Sequence, residues 1–229
     1  MVKENVKNIL IIKWGALGDL VASTSAIKTV RENFPHAHIT LLTNKLMTQI
    51  IPPKFLVDEH IIISTDRNKV VDSAFKQLLI ILKLRKKKFD LGINLRWTSE
   101  GAALITYLSG AKERVSSGPK NLMKLYTIKL DHPKGRYHEI HRNLDIVKAI
   151  GCNISDENPV VYISEEDQRF ADLFFEKNKL DKTNTVCIHP GASKPIRAWM
   201  PERFAEIGRR LVKNFDTNIL LTWGKGEEK

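Results

Sequence analysis

Two cysteines, Cys152 and Cys187, are all that 229 residues contain. They stand far apart, in no metal-type or redox spacing, which excludes a disulfide framework and reads as reduced thiols. No apolar run approaches the roughly 20 residues that span a bilayer. The start, Met-Val-Lys-Glu-Asn, is charged, and Ile9 to Ile12 is too short for the apolar core of a signal peptide. The expected location is therefore cytoplasmic, at most attached to a membrane surface. Acids are also scarce: 26 Asp and Glu face 37 Lys and Arg, a formal charge of +11. Such a surface favours anionic partners. No RNP aromatics and no zinc-finger spacing accompany the charge, so phosphate or anionic lipid is expected rather than nucleic acid.

What is present is an ordinary globular composition, 42% hydrophobic and 28% charged. The stretch from Asn8 to Pro35 organises it. Ile9 to Ile12 is a continuous apolar run cut off by glycine, as in a parallel strand covered on both faces. Gly15 to Gly18 forms a turn. Leu17, Leu20, Val21, Thr24, Ile27 and Val30 then recur at helical spacing until Pro35. Strand, turn and helix make half of a βαβ unit, whose ligands lie at the carboxyl ends of the strands.

Further strands are predicted at 38–43, 57–64, 89–95 and 114–117. Helices are predicted at 44–50, 70–84, 100–108 and 139–150, with 119–135 read as irregular. Residues 153–162 read as a crossing between domains. Ser164-Glu-Glu-Asp is a capping box that opens a helix to about Lys177. Strands at 185–189 and 217–223 then flank a helix from Pro201 to Asn214. The expected class is α/β, with one domain over 1–162 and the beginning of a second, incomplete one over 163–229.

Gly15-Ala16-Leu17-Gly18-Asp19 has the spacing of neither G-x-G-x-x-G nor G-x-x-x-x-G-K-[ST], which removes the dinucleotide and P-loop readings. From position alone, Asp19 is either a first-turn helix acid favoured by the dipole or a functional carboxylate. Arg197 alone would read as a solvated loop cation. Tyr137, His138 and His141 invite a metal reading, but they lack a third ligand, so a helix or acceptor-side role is expected and no metal.

Ile-Leu-Ile-Ile-Lys-Trp-Gly-Ala-Leu-Gly-Asp-Leu-Val, followed by Asn33-Phe-Pro-His-Ala-His-Ile, resembles the N-terminus of the lipopolysaccharide heptosyltransferases, glycosyltransferase family nine. Phe89-Asp-Leu-Gly-Ile-Asn-Leu, His189-Pro-Gly-Ala-Ser, Arg197-Ala-Trp-Met-Pro-Glu-Arg-Phe and Trp223-Gly-Lys-Gly-Glu-Glu resemble later blocks of that family, in family order.

The resemblance implies a GT-B architecture of two Rossmann-like domains: an N-terminal acceptor-binding domain and a donor-binding domain. It implies inverting transfer of a heptose from an ADP-sugar to a lipid A-linked acceptor on the cytoplasmic side of the inner membrane, with no cofactor. Asp19 falls on the family's catalytic base, and Gly15, Ala16, Leu17 and Gly18 form the acceptor-side loop. Gly191, Ala192, Ser193, Arg197 and Glu227 fall on donor and phosphate positions. Met200 separates Trp199 from Pro201, where the family has Trp-Pro directly. The family's later Asp-Ser/Thr-Gly-x-x-His segment does not occur, so the donor half is expected to be incomplete. A non-catalytic sugar-nucleotide or lipid-acceptor binding module is the alternative.

Overall fold

The structure, a computed structural model, describes residues 5–63, 70–118, 120–131, 137–192, 195–224 and 227. It divides into two compact units, Met1–Tyr162 and Ile163–Lys229.

In the first unit, six strands form one parallel sheet: β1 (Asn8–Ile12), β2 (His38–Thr43), β3 (Glu59–Ile62), β4 (Leu91–Asn94), β5 (Glu113–Ser116) and β6 (Ile128–Lys129). Their order is β3-β2-β1-β4-β5-β6. The order reverses between β1 and β4, the switch point where such sheets leave a crevice at their carboxyl ends. Because β1 is central, both of its faces are buried. Ile9 and Ile11 join one core cluster, while Leu10 and Ile12 join the other.

The helix predicted after the turn is two helices, α1 (Leu17–Val21) and α2 (Thr24–Asn33). Three consecutive hydroxyls explain the break. Ser23 Oγ donates to the Leu20 carbonyl (2.7 Å), Thr24 Oγ1 to that of Val21 (2.8 Å) and Ser25 Oγ to that of Ala22 (3.5 Å). Such back-bonding competes with the helical ladder and bends it. There follow α3 (Met47–Ile50), α4 (Val70–Lys86), α5 (Glu100–Leu108) and α6 (Glu139–Lys148), which packs on α2.

The stretch read as irregular contains a 3-10 turn, Lys120–Leu125, and β6. It is held by long-range bonds that no periodicity reports. Arg114 Nε donates to the Leu125 carbonyl (2.8 Å), and the Tyr126 hydroxyl accepts from Asn94 Nδ2 (2.6 Å). Burial pushes the Tyr126 phenol up. Residues 119 and 132–135 of that stretch lie outside the described residues.

The basic run Lys83 to Lys88 ends α4 just before β4 begins. It therefore lies at the amino edge of the sheet, away from the Gly15 turn. Lys83 and Lys87 pair there with Glu59.

The second unit contains α7 (Glu165–Lys177), β7 (Thr185–Ile188), α8 (Pro201–Phe215) and β8 (Asn218–Leu221), with β7 and β8 parallel. Both halves of the Ser164–Asp167 capping box are made. Met200 is the N-cap of α8 and Pro201 its first residue. The extra residue thus serves as the cap, while the Trp199 ring packs edge-on against Phe204 at 5.2 Å.

Candidate functional site

At the carboxyl end of β1 the chain turns sharply. Gly15 takes a φ of +153°, which side chains rarely adopt, and Asn44 Nδ2 at the end of β2 donates to its carbonyl at 3.0 Å. A Cβ at Gly18 would meet nothing within 4 Å. Gly18 is therefore demanded by neither strain nor space in the chain itself, and it leaves the turn open to an approaching molecule.

Ala16, Leu17, Gly18 and Asp19 are all exposed. Asp19 sits in the first turn of α1, whose N-cap is Ala16, without a side-chain cap. Its carboxylate makes no hydrogen bond or ion pair among the described residues, so capping does not occupy it. An exposed carboxylate at the positive end of a helix, beside an open glycine turn, can accept a proton from a bound hydroxyl.

Beside this turn lies a group that the sequence reading passed over. Lys13, the residue after β1, is only 1% exposed. Its Nζ donates to the Leu95 carbonyl (3.2 Å) and to Glu139 Oε1 (2.9 Å). Trp97 Nε1 donates to the other carboxylate oxygen at 3.4 Å. The Arg142 guanidinium lies 4.3 Å from the centroid of the Trp97 ring, a cation–π contact. The ends of β1 and β4 are thereby tied to the start of α6. The available signal was a lysine placed directly after a wholly apolar central strand, where an unpaired charge is costly and needs a partner.

His138 Nδ1 caps α6 by accepting from the Ile140 N–H (3.3 Å), and His141 Nδ1 lies 3.5 Å from Glu157. Among the described residues no cluster of His, Cys, Asp or Glu could hold a metal ion.

In the second unit the carboxyl ends of β7 and β8 bring Gly191 and Glu227 together. The Glu227 carboxylate lies against Gly191, where a Cβ would collide with it. It accepts from the Gly224 N–H at 2.7 Å and lies 3.7 Å from His189 Nε2. His189 Nδ1 is 3.2 Å from Thr222 Oγ1. Ala192 is half-buried beside this group, and Arg197, which is exposed, ends the 3-10 turn Pro195–Arg197. Ser193 lies outside the described residues.

The family model described as glycosyltransferase family 9 (heptosyltransferase) matches residues 78–229. The chain is 22% identical to the lipopolysaccharide core heptosyltransferase OpsX of Haemophilus influenzae, over 95% of this chain and 60% of that protein. A glycosyltransferase of family 9 from Veillonella parvula shares its fold with a TM-score of 0.73 at 19% identity, over 96% of this chain and 70% of that one. So does Escherichia coli heptosyltransferase WaaC bound to ADP-2-deoxy-2-fluoro heptose, with a TM-score of 0.67 at 19% identity, over 96% of this chain and 70% of that one. The chain spans 60–66% of the length of the curated relatives it matches. The fold class is the α/β, GT-B type of these structures. With a family match over more than half of its residues, the chain belongs to glycosyltransferase family 9, the heptosyltransferases.

Proposed function

We propose that the protein transfers a heptose, or a related sugar, from an ADP-activated donor to a lipopolysaccharide-type acceptor linked to lipid A, with inversion. The observation that carries this reading is the Asp19 carboxylate, exposed and unpartnered among the described residues at the switch-point end of β1. A sugar hydroxyl is a poor nucleophile. Asp19 takes its proton as the hydroxyl oxygen bonds to the anomeric carbon and the bond to ADP breaks. One base and no covalent intermediate give inversion, as in the inverting hydrolases.

The first unit (residues 1–162) then serves the acceptor and the second (163–229) the donor. The Gly191 and Ala192 N–H groups and the Ser193 hydroxyl receive the diphosphate, and Arg197 stabilises the departing ADP. Glu227 accepts from the hydroxyls of the donor ribose. No metal or cofactor has a part in this scheme. The setting is the cytoplasmic face of the inner membrane. None of the helices described is long and apolar enough to cross a membrane.

The test is Asp19→Ala. Transfer should fall by about 10²–10⁴-fold, the usual contribution of a general base, while calorimetry shows ADP bound as before. Turnover near the wild-type rate would remove Asp19 from the chemistry. Transfer by neither form, with ADP still bound, would favour a binding module instead.

A further inference from the structure

We propose that the solvent side of α4 docks the protein on an anionic lipid surface, with Leu78, Leu79 and Leu82 entering the headgroup boundary and Arg85, Lys86 and Lys88 meeting lipid phosphate. The helix is apolar on both sides. Its inner side, with Leu84 buried and Ile80 partly so, packs into the sheet core beside Phe89, Leu10 and Ile12. Its outer side should then be polar, as in an ordinary surface helix. Instead Leu78 is 51% exposed, Leu79 50% and Leu82 48%. Leu78, Leu82, Arg85 and Lys86 follow at three- and four-residue steps, so leucines and cations share one stripe. The neighbouring α5 adds exposed Leu104 and Tyr107.

Exposed leucines in a row mark an interaction surface. The charge around them selects its occupant. Lys83 and Lys87 are engaged by Glu59. Arg85, Lys86 and Lys88 have no acidic partner among the described residues, and the chain as a whole carries +11. A second copy of this chain would set those cations against their own symmetry mates. An anionic bilayer satisfies both the leucines and the cations, as it does for interfacial helices with an apolar stripe and a basic flank. The inference rests on the reading above only for its purpose, since an acceptor anchored in lipid has to be met at a surface.

The experiment is co-sedimentation of the chain with phosphatidylglycerol–phosphatidylethanolamine vesicles and with phosphatidylcholine vesicles, at low and high salt. Binding should be confined to the anionic vesicles and weaken with salt. Leu78→Ser with Leu82→Ser should reduce the partition at least tenfold without changing the melting temperature. Arg85→Gln with Lys86→Gln should reduce it and flatten its salt dependence. No binding to anionic vesicles, or binding unchanged in the leucine variant, overturns the proposal. So does a dimer in light scattering that the leucine variant dissolves, because the face then belongs to a second copy. Transfer to a delipidated, soluble acceptor should be the same in the leucine variant and the wild type. A wild-type chain that binds no anionic vesicles yet keeps its Asp19-dependent transfer would therefore reject the docking face alone.

Discussion

The two edges of the six-stranded sheet use their carboxylates in opposite ways. At the amino edge every acid between the strands, among the described residues, is engaged. Asp90 accepts from the Lys7 and Asn8 N–H groups (2.9 and 3.1 Å) and from Lys112 Nζ (2.8 Å), which ties the starts of β1, β4 and β5 together. Asp58 accepts from the Ile39 N–H (2.7 Å) and from Arg31 (2.6 Å), and Glu59 from Lys87. For all three, burial pushes the carboxyl up, yet the donors and cations outweigh it and hold the group below its ordinary value. At the carboxyl edge Glu139 is bound by Lys13 and Trp97, whereas Asp19 is left open. Acids with partners on several strands fix register. The acid without one is free for a ligand.

That contrast can be broken from either side. The largest effect expected is on Asp19: its change to Asn should cost at least about 100-fold in transfer rate and leave the unfolding free energy within about 0.5 kcal/mol of wild type, as for a surface substitution. Lys13→Met should do the reverse. Its two hydrogen bonds are lost and Glu139 keeps only the more distant Arg142, at 3.8 Å, as a cation, so urea unfolding should show about 2–3 kcal/mol of destabilisation.

Asp90→Asn should cost about 1–2 kcal/mol at neutral pH, the scale of hydrogen bonds to a charged group. The pH dependence has a definite sign. A carboxyl held low in the folded state is protonated more readily when unfolded. Its stabilisation is therefore present above the unfolded value and is lost as pH falls through the folded one. Melting temperatures followed into acid should drop through that window, and Asp90→Asn should flatten the drop. In the second unit, Glu227→Gln should weaken ADP binding by about tenfold, or about 1.4 kcal/mol, measured by calorimetry. This is the smallest of the four effects.

Local signals carried much of the fold. The Ile9-Leu10-Ile11-Ile12 run of β1, the α5 span and the Ser164 capping box were all readable, because apolar period and cap chemistry act within a few residues. The order from Gly15 to Asp19 was readable too, as a turn at a strand end. Three features were not. The break at Ala22–Ser23 follows from hydroxyls competing with a helix whose apolar spacing runs straight through. The segment leading into β6 depends on Arg114 and Asn94, which reach Leu125 and Tyr126 from elsewhere in the fold. Lys13 finds Glu139 across 126 positions of sequence. Its place after a wholly apolar strand hints at burial, but only the fold shows which acid receives its ammonium.

Transfer rate and unfolding midpoint, measured together for Asp19→Asn and Asp90→Asn, test the central claim most directly. The account predicts a crossed result: Asp19→Asn loses the rate and keeps the stability, while Asp90→Asn loses stability and keeps the rate. An Asp19→Asn protein that transfers sugar as fast as the wild type, or that loses its rate only because it unfolds, would contradict it.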